Sequence, residues 1–245
     1  MRARDSREAV TDAHTERQAV PWKLRDVAYA SLFVIVGTIV IGALMRLIGE
    51  SGDGSEPVNP LLLFMLQGLF LLAVWIIAVR VRGATWRSLG MRASRVRGGN
   101  LLVAPALLLM IASGAAYGVF VQNAGIEILI PPTLEEQDIR LGEGLYALLN
   151  ASVFVIWGPF TEELFFRGFL LTVLAPMIGP FRAALLSAAL FAGVHVSVST
   201  MIPIFMMGLV LAWLYIRTRS LLQPYLAHAA WNLLVTLVGV YLVEP

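Results

Sequence analysis

The chain has 245 residues, of which 58% are apolar and only 14% charged, with a net charge of +2 and a mean hydropathy of +0.79. A soluble domain is about 45–50% apolar and about 25% charged, so these figures exclude a disordered chain, argue against a soluble one and point to a bilayer-embedded protein. With no cysteine there is no disulfide framework, thiolate metal site or cysteine nucleophile, and the basic residues, all arginine except Lys23, stand at the ends of apolar runs, where they orient a membrane protein rather than bind nucleic acid.

Residues 1–25 are polar and of mixed charge, and read as a disordered cytoplasmic tail. Apolar runs follow at 27–48, 60–80, 100–122, 143–175, 181–198, 200–216 and 221–243. Most approach the roughly 20 residues that carry a helix across a bilayer, and open strands cannot exist in lipid. The expectation is an all-α, polytopic transmembrane bundle with N-terminal membrane helices over 26–142 and a second group over 143–243. Loop charges alternate. Glu50, Asp53 and Glu56 follow the first run, Arg80, Arg82, Arg87, Arg92, Arg95 and Arg97 the second, and Glu127, Glu135, Glu136 and Asp138 the third. Arg182, Arg217 and Arg219 mark further basic ends. The positive-inside rule then gives a cytoplasmic N-terminus and a multi-pass protein of the cell membrane.

The run 143–175 is too long for one straight crossing at ~1.5 Å per residue. Pro159 removes a backbone hydrogen bond in its middle, which predicts a kinked or broken helix with Thr161 as the N-cap after the break. The count is seven spans, or eight segments if the broken helix is counted twice. The stretch 83–98 reads as a short interfacial segment. Small residues at Gly114/Gly118, Ala184/Ala188/Ala192 and Gly208/Ala212 mark close helix contacts.

Ionisable residues inside apolar runs are costly and by default functional. The second half of the chain holds Glu162, Glu163, Arg167, His195 and His228. Glu163 and Arg167 are four apart in the favourable order, so they can pair. Glu162 faces Phe166 at that spacing and has no local partner, so it must find polar company elsewhere. His228 and Asn232 share one helix face. One reading is structural: a buried ion-pair cluster and interhelical hydrogen bonds. The other is chemical. An unpaired carboxylate, two imidazoles and an amide in one dry pocket can activate a water and bind the oxyanion of a tetrahedral intermediate. No GxSxG or HExxH motif is present. Zinc held by Glu162, His195 and His228 is chemically feasible, but the carboxylate or carbonyl partner that a zinc-bound histidine normally needs is not evident from the sequence, so no metal is favoured.

Glu162-Glu163-x-x-x-Arg167, Phe191-x-x-x-His195 and His228-x-x-x-Asn232, in this order and each in an apolar run, resemble the CPBP family of intramembrane proteases, the relatives of type 2 CAAX prenyl proteases. The resemblance covers roughly residues 143–240. It implies a catalytic core over 143–243, with Glu162 activating water beside His195, His228 and Asn232 forming the oxyanion site, and Glu163 and Arg167 supporting them. It also implies a membrane-associated peptide or protein substrate, a prenylated CAAX tail in the eukaryotic relatives. Two rivals stand beside it: a non-catalytic immunity or adaptor protein, and a proton-coupled transporter using Glu162 and the two histidines as a relay. An enzyme needs these side chains to converge; a transporter needs them strung along a path. In the seven-span map His195 and His228 lie ~10 Å apart in depth, a mismatch that tilt or a displaced helix start must absorb.

Overall fold

The computed structural model describes residues 20–47, 59–130 and 144–242. The tail to residue 19 and most of the two acidic loops lie outside these. All regular structure among the described residues is helical: α1 Leu24–Leu47, α2 Pro60–Val81, α3 Gly99–Ala124, α4 Gly144–Ile178, α5 Pro180–Gly193, α6 Val198–Thr218 and α7 Leu222–Leu242. Their boundaries have local causes. Asn59 caps α2, its side chain accepting from Leu61 N at 2.9 Å, and Pro60 occupies the first turn, where its missing N–H costs nothing. Gly125 ends α3 in the left-handed conformation. Gly179, at φ 84°, separates α4 from the Pro180 start of α5.

The chain is a multi-span membrane bundle; among the described residues five helices, not the seven expected, are long and apolar enough to cross: α1, α2, α3, α4 and α6. The run 181–198 yields only the 14-residue α5. At ~1.5 Å per residue that is about 21 Å, short of the ~30 Å hydrocarbon core. The run 221–243 forms α7, which carries Gln223, Pro224, His228 and Asn232 in its first half. At most 33% of any spanning window is buried inside the protein. Residues such as Leu32, Ile39, Leu108 and Phe120 turn apolar side chains outward, as a lipid-facing surface requires.

The second half of α4 is the centre of the bundle: every residue from Leu164 to Leu171 is buried. α1 and α2 pack on one side of it, and α5 and α6 on the other. α5 lies along α6 at the Ala188–Gly208 crossing, where a Cβ at Gly208 would stand 3.0 Å from that of Ala188. The small residues at 188 and 208 therefore do allow close approach. Of the Gly114/Gly118 pair, Gly114 receives Trp231, whereas Gly118 has no neighbour within 4 Å.

α4 does not break at Pro159. It runs through as one 35-residue helix containing two π-helical stretches, Val153–Trp157 and Leu164–Leu171, on either side of the short α-turn Gly158–Glu163. In the first stretch Gly158 N bonds back five residues to Val153 O. In that register Phe154 O would pair with residue 159, a proline without an N–H. Asn232 Nδ2 from α7 donates to Phe154 O instead, at 2.9 Å. In the second stretch side chains also reach backbone carbonyls: Ser187 to Phe166 O, Thr172 to Arg167 O and Trp22 to Phe169 O. The lengthened turns thus stay satisfied within the protein, as a dry interior demands. Because the helix continues, Thr161 is not an N-cap; its hydroxyl lies near Gly158 O, inside the turn.

One further expectation is corrected. Trp22, read as part of the tail, is buried against Phe169, because an indole with its N–H satisfied is a good interior group. The stretch 83–98, expected as a short interfacial segment, is a turn-rich loop. It is fastened to the α6–α7 connection by Arg92 Nε to Arg219 O, Ser220 Oγ to Arg92 O, Arg95 N to Thr218 O and Leu221 N to Gly90 O. These bonds, with the Asp26–Arg82 ion pair at 2.6 Å, gather the start of α1, the basic loop 80–99 and Arg217/Arg219 at one end of the bundle.

Candidate active site

The α-turn Gly158–Glu163 places Thr161, Glu162 and Glu163 in the interior of the bundle, facing α2 and α7. Glu163 and Arg167 form the pair expected from their spacing, Nη1 to Oε1 at 2.8 Å, with both side chains buried. Arg167 is held on two more sides: Nη2 donates to Gly208 O at 3.0 Å, and its guanidinium lies 4.5 Å from the centroid of the Phe191 ring. A planar, fully buried cation needs such a cage, because desolvating it unpaired would be prohibitive.

His228 is the hinge of the cluster. It is 2% exposed, and its two ring nitrogens address the two glutamates separately. Nδ1 lies 3.1 Å from Glu163 Oε1, and Nε2 lies 3.8 Å from Glu162 Oε2. Glu163 therefore fixes the imidazole plane from behind. The 3.8 Å gap in front is too long for a direct hydrogen bond and leaves Oε2 and Nε2 open to a third group. The other oxygen of Glu162, Oε1, accepts from Gln67 Nε2 of α2 at 2.9 Å. The polar company that Glu162 lacks within α4 thus comes from α2 and α7.

His195 stands apart. It follows the end of α5 and is exposed. Its Nδ1 lies 2.9 Å from Phe191 O, in its own chain segment. Among the described residues it makes no hydrogen bond or ion pair to Glu162 or Glu163. Its link to the cluster is Phe191, whose ring stands edge-on to His195 at 5.0 Å and to His228 at 5.7 Å between centroids. Asn232 lies one turn beyond His228 and spends one amide N–H on Phe154 O, leaving the second unassigned.

A divalent metal would find two facing ligand atoms here, Glu162 Oε2 and His228 Nε2. The sequence-based ground against zinc does not hold, since both histidines have the partner a metal-bound imidazole needs: Glu163 for His228 and the Phe191 carbonyl for His195. A third ligand would have to come from His195, whose Nδ1 is engaged with Phe191 O.

Gln67 is the site residue that sequence reading passed over. It is the one amide within the apolar run 60–80, and that was the available signal.

Residues 144–234 match the family model described as type II CAAX prenyl endopeptidase Rce1-like. The chain is also 33% identical over 90 residues to a Bacillus subtilis (strain 168) protein named "Putative membrane peptidase YdiL", a stretch covering 37% of this chain and 36% of that one. The alignment thus spans about a third of the length of this curated relative. No solved structure matches the chain. The segment that resembles this Rce1-like family, 144–234, carries Glu162, Glu163, Arg167, His195, His228 and Asn232 in one apolar helical core.

Proposed function

We propose that this chain is an intramembrane endopeptidase that hydrolyses a peptide bond of a membrane-associated substrate, of the prenylated CAAX type, with a water activated by Glu162. The observation that carries the reading is the facing pair Glu162 Oε2 and His228 Nε2, 3.8 Å apart, with Glu163 holding the far side of the imidazole. Glu162 takes a proton from the attacking water as the water oxygen bonds to the carbonyl carbon, and returns it to the departing amine when the C–N bond breaks. His228, protonated, donates from Nε2 to the oxyanion. With that proton on His228 the four clustered groups, Arg167, His228, Glu162 and Glu163, carry two positive and two negative charges, which suits a dry interior. The second N–H of Asn232 is the further oxyanion donor. His195 lies on the exposed side, beyond Phe191, and has no part in this step.

Of Glu162 and the two histidines only Glu162 and His228 converge, with Glu163 and Arg167 behind them; that meeting at one point supports chemistry there over a relay strung along a path. The reaction proposed needs no metal, since base and oxyanion donors are all side chains. The chain sits in the cell membrane with the Arg-rich end of the bundle and the N-terminus in the cytoplasm. The test is the full chain purified into proteoliposomes with a farnesylated CAAX-type peptide, products read by mass spectrometry. Cleavage at a defined bond, retained after exhaustive chelation, is expected. Activity that disappears on chelation and returns with one equivalent of zinc would replace the metal-free mechanism. Loss of cleavage in no variant of the cluster would remove the peptidase reading.

A further inference from the structure

Gln67 belongs to α2, outside the matched segment 144–234, yet it touches the carboxylate on which the proposed chemistry depends. We propose that Gln67 is a positioning residue for Glu162, contributed to the site by the N-terminal half of the chain; this rests on the reading of Glu162 as the base. The amide is committed at both ends. Nε2 donates to Glu162 Oε1 at 2.9 Å, and Oε1 accepts from Thr161 Oγ1 at 3.1 Å. The flipped amide would set its own oxygen against a carboxylate oxygen, so the orientation is dictated by the partners.

The surrounding structure is built to hold α2 at this distance. Phe64, three residues earlier and so on the same face of α2, stacks on Trp157 with ring centroids 4.8 Å apart, and Trp157 Nε1 donates to Phe64 O at 3.2 Å. Gly158 leaves the room: a Cβ there would lie 3.4 Å from Gln67 Nε2 and 3.2 Å from Val153 O. With Oε1 tied down, the carboxylate cannot rotate freely about its last bond, and Oε2 is the oxygen turned to His228 Nε2. Gln67 thereby assigns the two oxygens different tasks, one for anchoring and one for the water. An interhelical hydrogen bond with no such task would also join α2 to α4. The two differ in what they move. Simple glue changes thermal stability and leaves the turnover of folded molecules alone. Positioning changes turnover and leaves substrate binding alone.

The experiment compares wild type, Gln67→Met and Glu162→Gln as full chains in proteoliposomes, reading kcat and KM on the farnesylated CAAX-type peptide, the melting temperature, and the infrared carboxylate band assigned to Glu162 by its loss in Glu162→Gln. In Gln67→Met we expect kcat down by about tenfold to a hundredfold, as for a small misplacement of a reacting group. KM should stay within about twofold and the Glu162 band should shift. An unchanged kcat, with or without a fall in melting temperature, or an unshifted band, overturns the proposal. Should Gln67→Met not fold, Gln67→Asn, which keeps the polarity but is one methylene short of Glu162, is judged by the same criteria. Full turnover in Glu162→Gln, or no cleavage by wild type, is the failure of the peptidase reading itself, and the infrared band still decides the Gln67–Glu162 contact.

Discussion

At the scale of single residues, the two adjacent glutamates are separated by what each touches. Glu163 is enclosed by Arg167 and His228 and is 1% exposed, so it neutralises a buried cation and fixes an imidazole. Glu162 keeps one oxygen uncommitted. Glu163→Gln should therefore cost about 3–5 kcal/mol of stability, the usual penalty for breaking a buried ion pair, and should lower the yield of folded protein on size exclusion. Glu162→Gln should leave yield and melting temperature close to wild type while cutting cleavage at least about a hundredfold. The opposite pattern, with Glu162→Gln unfolded and Glu163→Gln stable and inactive, would reverse the two roles.

At the scale of the helix, α4 stays continuous where a proline predicts a kink or a break, because the π register moves the missing hydrogen bond onto a carbonyl that α7 can serve. This makes Asn232 and Pro159 energetically coupled. Asn232→Ala should orphan Phe154 O and cost about 1–3 kcal/mol. In a Pro159→Ala background the chain supplies its own N–H, and the same substitution should cost about 1 kcal/mol less; equal losses in both backgrounds, measured by denaturation in lipid or detergent, would mean the coupling is absent. The buried π stretch after Glu163 makes a second claim. A Cβ at Gly168 would stand 2.5 Å from Leu89 O, a backbone atom of the loop 83–98 that cannot swing aside. Gly168→Ala is expected to destabilise by roughly 1–3 kcal/mol, while Gly118→Ala, with nothing within 4 Å, should leave the melting temperature unchanged or slightly raised.

At the scale of the whole molecule, two basic features far apart in sequence meet at one end, the loop 80–99, whose Arg82 pairs with Asp26 of α1, and the Arg217–Arg219 turn. Charge alternation alone would place them on one side of the bilayer, and hydrogen bonds across the loop now tie them there physically. Because the chain has no cysteine, single-cysteine labelling reads the orientation directly. In intact cells, Arg97→Cys should be protected from an impermeant maleimide and Ser55→Cys should react. Labelling at residue 97 from outside would invert the orientation.

The sequence by itself determined the class and the cast. Composition and run length required a helical membrane protein, and the polar residues 162, 163, 167, 195, 228 and 232 were visible because lipid-embedded chains tolerate few of them. The Glu163–Arg167 pair was legible because both partners lie on one helix at a fixed spacing. What only the tertiary structure decided is everything carried between helices. Periodicity within α4 shows that Glu162 needs a partner, but the partners stand 95 residues before it on α2 and well beyond it on α7. The same holds for the run 181–198, whose helix is too short to cross, since apolar residues satisfy a protein interior as well as lipid and hydropathy cannot tell the two apart. Pro159 states that one hydrogen bond is missing from α4; which side chain replaces it is a matter of packing, settled by where α7 crosses.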